Sequence, residues 1–320
     1  MDQLLTIQEL MHKNFPPQKW LVDKLVPDAA ITIFSGAPAS CKTWITLHTA
    51  ISVARGEPLF GEFATKQSGV LIIDEENSQR LVQERLFMLG ALADLPIYFS
   101  PQPGFVLSNE TVAETLIECA IRDIKVIIID SLVRIHASDE NSSGEMAAVF
   151  KQLRKFTAQD ITLILTHHNR KPGVNADSGL NAMRGSSDIP ASIDSHVAIS
   201  RRKDSLVVHQ TKNRYAPELG KFEVEISADD DSFQLIYDGE VNISDKKRQM
   251  LKDTILTQLS ENQQPIQKEL LASLKQQGVK INEHKLRELL EELLEEGLVK
   301  ETQGVGRNIH YSLETGAENE

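Results

Sequence analysis

Residues 30 to 34, Ala-Ile-Thr-Ile-Phe, make an apolar, β-branched run that passes directly into Ser35-Gly36-Ala37-Pro38-Ala39-Ser40-Cys41-Lys42-Thr43, and a helical pattern starts at once with Trp44. No other stretch constrains the chain as much. A strand, a loop of small residues ending in Lys-Thr, and a helix N-terminus form the setting in which backbone N–H groups wrap phosphates. There a lysine reaches the outer phosphate oxygens and a hydroxyl holds Mg²⁺. Gly36, Lys42 and Thr43 fit that pattern, whereas Cys41 stands where glycine usually lets the backbone approach the phosphates.

The surrounding pattern agrees with a strand–loop–helix unit. Mostly apolar runs recur at Ile31 to Phe34, Val70 to Ile73, Val126 to Ile129 and Ile161 to Leu165, as expected of strands covered on both faces. Helical patterns lie between them at Trp44 to Ala54, Gln79 to Leu92, Ser108 to Arg122 and Glu145 to Ala158. The alternation predicts an α/β domain with a mainly parallel sheet over residues 29–240, preceded by a segment, 1–28, that packs on this core or on a neighbouring subunit. A further apolar run lies at His196 to Ile199, and the later runs, Leu206 to Gln210, Lys221 to Ile226 and Phe233 to Tyr237, read as an antiparallel extension or hairpin. A linker at 241–245 then leads to three helical patterns, Lys246 to Glu261, Gln267 to Gln277 and Asn282 to Glu296, and a hairpin ending at Leu313. These describe a winged helix over 246–313, followed by an acidic tail, 314–320.

Composition narrows the partners. With 34 basic and 46 acidic residues the net charge is −12, so any nucleic-acid contact must be local. Cys41 and Cys119 are the two cysteines and lack the company for a disulfide framework or a zinc site, which makes a reducing cytoplasm the expectation. The apolar runs are strand-sized, so no membrane span is expected.

Three further strand ends carry chemistry. Val126-Ile127-Ile128-Ile129 ends in Asp130, the place for a metal-holding carboxylate downstream of a phosphate loop. Val70 to Ile73 delivers Asp74, Glu75 and Glu76, among which a general base for an attacking water belongs. Ile161 to Leu165 leads to Thr166-His167-His168, where a polar sensor of the outer phosphate is a better reading than a metal site.

With these elements in this order, the chain resembles the RecA-like hexameric ATPases, and among them the RepA-type plasmid replicative helicases. The resemblance covers residues 16 to 240. It is carried by Pro17 to Trp20 before Leu25-Val26-Pro27, Lys42-Thr43-Trp44, Glu76 with Arg85-Leu86, Asp139-Glu140-Asn141 with Gly144 and Met146, His167-His168 with Lys171, and Arg184-Gly185-Ser186-Ser187 before Asp194. It implies ATP and Mg²⁺ as ligands. Gly36, Ala37, Pro38, Ala39, Ser40, Cys41, Lys42, Thr43 and Trp44 would then contact nucleotide, and Thr43 and Asp130 the metal. By the same resemblance Lys42 holds phosphates, Glu76 the attacking water, and His167 reports the γ-phosphate. Lys212 and Arg214 resemble the finger that such rings insert into a neighbouring subunit's site, which implies a homo-oligomer, a hexamer in these relatives. Two loops, Arg134 to Ser143 and Arg170 to Arg184, occupy the positions that line the ring's pore. They nominate Arg134, Arg170, Lys171 and Arg184 as contacts to single-stranded DNA.

The tail is less decisive. Its third helix carries Glu283, Glu288, Glu291, Glu292, Glu295 and Glu296 against Lys285 and Arg287, so only its first turns and a wing with Lys300 and Arg307 suit duplex DNA. A protein-interaction module is the competing expectation. Two functions follow for the whole chain: an ATP-driven helicase on single strands, or a nucleotide-switched DNA-binding regulator, with a recombination or repair ATPase also open.

Overall fold

The computed structural model describes residues 4–100, 104–169, 180, 183–241, 243–261, 264–279, 281–304 and 309–314. The chain divides into two compact units, residues 1–241 and 242–320.

In the first unit a short helix α1 (Ile7–Met11) precedes the ribbon β1 (Trp20–Val22) and β2 (Val26–Pro27). The elements β3 (Ile31–Gly36), α2 (Lys42–Arg55), β4 (Gly69–Asp74), α3 (Gln79–Met88), β5 (Ile97–Phe99), α4 (Asn109–Ile121), β6 (Ile124–Asp130), α5 (Ser143–Thr157) and β7 (Thr162–His168) follow. The short helix α6 (Asp188–Ser192) leads to β8 (Ser195–Arg201), β9 (Ser205–Asn213), β10 (Phe222–Ala228) and β11 (Phe233–Glu240).

These strands form a nine-stranded sheet in the order β11-β10-β9-β8-β3-β7-β6-β4-β5. The strands from β8 to β5 run parallel, and β9, β10 and β11 continue antiparallel. This is the mainly parallel α/β sheet of a RecA-like P-loop core, and its parallel strands place their C-terminal ends on one edge. Register sets which ends meet there: Gly36 pairs with His168 and Ile199, and Asp74 pairs with Asp130.

Apolar residues on both faces hold the sheet. Phe34 packs with α2 and the β1–β2 ribbon, while Ile31 and Ile33 pack with α4 and α5 through Val112, Phe150 and Leu153. Ser78 and Ser108 cap α3 and α4 by accepting from backbone N–H groups three residues on, which fixes where those helices begin. Helix α3 stops at Met88, short of the expected Leu92, because Gly90 turns the chain at φ +73°. Leu21, Val22, Leu25 and Val26 are buried in the same core as Phe34, so residues 20–28 belong to the core itself. Residues 7–11 bury nothing.

The second unit contains α7 (Ile243–Glu261), α8 (Gln267–Gln276), α9 (Glu283–Glu295) and the antiparallel hairpin of β12 (Val299–Gln303) and β13 (Ile309–Leu313). Because α7 begins at Ile243, the stretch expected to be a linker is mostly helix. Ile255, Leu270, Leu274, Leu286, Leu289, Leu293 and Tyr311 form its core, and Asn282 caps α9 by accepting from Lys285 N at 2.8 Å. The acids of α9 are answered from α7: Arg248 binds Glu288 and Glu292, and Lys252 reaches Glu292 at 2.8 Å and Glu296 at 2.6 Å. Arg307 lies outside the described residues. Among those described, no helix is long and apolar enough to cross a membrane.

Candidate functional site: a phosphate-binding loop at the sheet edge

The loop between β3 and α2 is shaped by close backbone approach. A Cβ on Gly36 would lie 2.3 Å from Ser40 Oγ and 2.6 Å from the Ile199 carbonyl oxygen, so only glycine fits there. Ala39 and Cys41 both adopt left-handed backbone, at φ +60° and +65°. The expectation of glycine at position 41 therefore had a conformational basis. Cysteine accepts the conformation at a cost of about 1–2 kcal/mol, and its buried thiol lines the cavity in front of the loop. Burial raises that thiol's pKa.

Lys42 curls back over the loop, donating to the Gly36 and Ala37 carbonyl oxygens at 3.0 and 2.9 Å. Burial lowers its pKa, with Asp130 and Glu76 opposing the shift. Thr43 Oγ1 donates to Asp130 Oδ2 at 2.7 Å, and Thr166 donates to the other carboxylate oxygen. A hydroxyl and a carboxylate this close, with no cluster of three or more His, Cys, Asp or Glu ligands among the described residues, suit a hard cation that takes its remaining oxygens from phosphate and water. Mg²⁺ fits this pair.

The three carboxylates after β4 take three different places. Asp74 is buried, which raises its pKa, and it accepts from the backbone N–H groups of Glu76 and Asn77 at 2.9 and 2.8 Å. Glu75 accepts from the backbone of Gly104 and Phe105 at 2.6 and 2.9 Å, away from the loop. Glu76 alone of the three lines the cavity, where Ser131 donates to its Oε1. That oxygen is 3.5 Å from His168 Nε2 and 3.9 Å from Arg134 Nε.

The two histidines separate along the strand. His167 is 1% exposed and lies against the Arg184 carbonyl and Glu140, whereas His168 lines the cavity. The sequence nominated His167; along β7 neighbouring side chains point to opposite faces, and it is His168 that turns to the cavity. For the same reason the pair cannot chelate one metal.

The cavity, about 310 Å³, also brings in two cations whose role the sequence left unread. Arg201 arrives because β8 runs parallel to β3 and ends at the same edge, a register invisible in the sequence. Arg85 comes from α3: it donates to Asn77 Oδ1 at 3.2 Å and lies 5.4 Å over the Trp44 ring, which itself stacks on Phe233 at 3.9 Å. Ala39, Ser40 and Trp44 line the cavity as expected of nucleotide contacts, and Ala37 and Pro38 form the exposed part of the loop.

Lys212 and Arg214 do not line their own chain's cavity. Lys212 lies within β9 rather than beyond it and donates to the Pro190 carbonyl at 2.6 Å. Arg214 donates to Asp194 at 3.0 Å and to the Ala191 carbonyl at 3.2 Å. Arg154 grips the same buried Asp194 through both guanidinium nitrogens, at 2.6 and 3.1 Å. Both finger candidates thus brace α6 in this chain. Arg134 and Arg184 are mostly exposed, as DNA contacts would be, while Arg170 and Lys171 lie outside the described residues.

The sequence matches the model of the AAA domain family over residues 2–174. The match runs from the N-terminal segment to just beyond β7, and so includes the phosphate loop, Glu76, Asp130 and the histidine pair. With a phosphate loop on a mainly parallel sheet and more than half its length matched, the chain belongs to the AAA domain family of P-loop ATPases.

Proposed function

We propose that this ATPase is a ring-forming motor on single-stranded DNA, of the RepA-like replicative helicase kind. One observation carries the reading: Arg134, an exposed base at the sheet edge, stands 3.9 Å from Glu76 beside the phosphate loop. A side chain open to a DNA phosphate thereby also faces the group that would activate water.

In this reading Lys42 leaves the Gly36 and Ala37 carbonyls for the β and γ phosphates of ATP. Thr43 and Asp130 would hold Mg²⁺, which would supply positive charge to offset that of the phosphates. Glu76 orients a water and accepts its proton as the water oxygen bonds to the γ phosphorus and the bond to the ADP oxygen breaks. His168, beside Glu76, reports whether the γ-phosphate is present. Lys212 and Arg214 act in trans on a neighbouring subunit, which requires them to part from α6 and Asp194. Arg134 and Arg184, with Arg170 and Lys171, track the DNA backbone. The three helices and hairpin of the second unit act as a winged helix. Since Arg248 and Lys252 are engaged by α9, that unit suits a protein partner better than duplex DNA.

The second reading, a nucleotide-switched DNA-binding regulator, draws on Cys41, whose side chain narrows the loop and would slow turnover. A DNA-stimulated ATPase assay followed by strand displacement on a forked duplex separates the two. The motor hydrolyses ATP faster with single strands and opens the fork; Arg134→Ala and Arg184→Ala weaken that stimulation and flatten its salt dependence. A chain that binds ATP, is indifferent to single strands and leaves the fork closed is the regulator.

A further inference from the structure

The buried end of β7 holds a pair of groups that the reaction above leaves unused. His167 is 1% exposed and Glu140 is 8% exposed, and they come from different parts of the chain, one from the end of β7 and the other from the turn before α5. His167 Nε2 lies 2.8 Å from the Arg184 carbonyl oxygen. A carbonyl can only accept, so Nε2 carries a hydrogen. His167 Nδ1 lies 3.7 Å from Glu140 Oε1, and neither atom has a hydrogen-bond partner among the described residues. With a neutral imidazole and an ionised carboxylate, two lone pairs would face each other out of water, an arrangement buried polar groups avoid. One proton on Nδ1 turns the clash into an attraction, and an approach of about 1 Å from the observed 3.7 Å would make it a charge-assisted hydrogen bond.

We infer that Glu140 and His167 hold one proton in common, and that through this bridge Glu140 is a positioning residue for hydrolysis. The inference rests on the roles proposed for Glu76 and His168. Glu140 grips the segment after β7 in two further ways: its backbone carbonyl accepts from Ser186 N at 2.6 Å, and its carboxylate lies 3.7 Å from Arg184 Nε. Gly185, at φ +98°, passes so close that a Cβ would lie 2.8 Å from the Glu140 carbonyl oxygen. Arg184 N in turn donates to the His168 carbonyl at 3.1 Å. The bridge therefore clamps both flanking segments on the strand end that presents His168 to Glu76.

The charged and titratable groups facing the pair are Arg184 after β7, His168 on the same strand, His196 on β8 and His136 on the Glu140 side. Burial lowers the His167 pKa, and the Arg184 carbonyl and the Glu140 charge oppose that shift without overcoming it. The proton's apparent pKa belongs to the pair. The bridge is intact below that value and is lost as pH rises through it.

Imidazole nitrogen NMR on the full chain tests the bridge directly. Below the pair's apparent pKa His167 should carry hydrogens on both ring nitrogens, and above it on Nε2 alone. In Glu140→Gln the amide donates to Nδ1 without titrating, so Nδ1 should become a plain acceptor at every pH. Across the range in which histidines titrate, kcat of the native chain should fall on the alkaline side. Glu140→Gln should keep the neutral-pH rate within about twofold and lack that fall. Glu140→Ala should lower kcat about tenfold throughout with little change in KM. An Nδ1 that titrates identically in the native chain and in Glu140→Gln overturns the inference, as does an alkaline fall unchanged in that variant. The spectra need no turnover, so a chain without DNA-linked hydrolysis would defeat the helicase reading and leave this one standing or falling by the NMR.

Discussion

Thr43 and Asp130, 87 residues apart in sequence, are joined by a 2.7 Å hydrogen bond at the head of the phosphate loop. In the proposed reaction these two oxygens would hold Mg²⁺, with phosphate and water supplying its other ligands. Asp130→Asn keeps an oxygen to accept from Thr43 and removes the charge. It should leave thermal stability nearly unchanged and make ATP binding insensitive to Mg²⁺ removal. Calorimetric titrations with and without a chelator measure this; a variant whose affinity still drops when metal is removed would place the metal elsewhere.

Glu76 and Glu75 differ in what they hold, and the difference is measurable. Glu76→Gln should retain ATP binding and lower kcat by about two to four orders of magnitude, the usual worth of a general base. Glu75→Gln should keep kcat within a few-fold while lowering the melting temperature, because Glu75 receives the Gly104 and Phe105 amides. The reverse result would mean that the base sits on the neighbouring residue.

Cys41 sits in left-handed backbone at φ +65°, and that strain opposes the entropy that glycine loses on folding, about 0.5–1 kcal/mol. Cys41→Gly should therefore be neutral to slightly stabilising and should tighten ATP binding, whereas Cys41→Val should destabilise the chain. Burial raises the thiol's pKa, so labelling by a thiol reagent should be slow at neutral pH, faster as pH rises, and blocked by ATP. Equal labelling with and without saturating ATP would show that the thiol does not face the nucleotide.

Arg214 braces Asp194 together with Arg154, which predicts a modest fold effect and a larger catalytic one. Arg214→Ala should cost about 1–2 kcal/mol of stability, because Arg154 still satisfies the buried carboxylate. Its own Lys42 site should still bind ATP, while hydrolysis is lost and partly returns on mixing with Lys42→Ala protein. If melting shifts but mixing restores nothing, both bases serve the fold alone.

Acid sensitivity follows from two buried imidazoles. Desolvation lowers the His196 pKa to about 3 and the His48 pKa to about 4, against an ordinary 6.5. Unfolding frees both to bind protons below 6.5, which the folded chain refuses until far lower pH. Their stabilising contribution is thus full above 6.5 and shrinks as pH falls from 6.5 towards 4, by an amount on the order of a few kcal/mol. Thermal melts across that range should show the loss, and His196→Gln should flatten it.

The sequence by itself determined the phosphate loop, the metal aspartate and the α/β alternation, because each is local: an apolar strand buried on both faces, a turn of small residues and a helix start lie next to one another in the chain. It also marked Cys41 as the departure, and the left-handed backbone there gives the reason. Which histidine faces the cavity was not local. That depended on the pairing of Gly36 with His168, and a one-residue step along a strand reverses the face. Arg201 reached the cavity only through the parallel pairing of β8 with β3, and Glu76 rather than Glu75 lines the cavity because the Gly104 and Phe105 amides hold Glu75 away from it. Lys212 and Arg214 resembled a finger for a neighbouring subunit, and the fold gives them Asp194 and the carbonyls of α6 as partners. Local propensity can place a residue at a strand end; only the packed sheet decides what that residue meets.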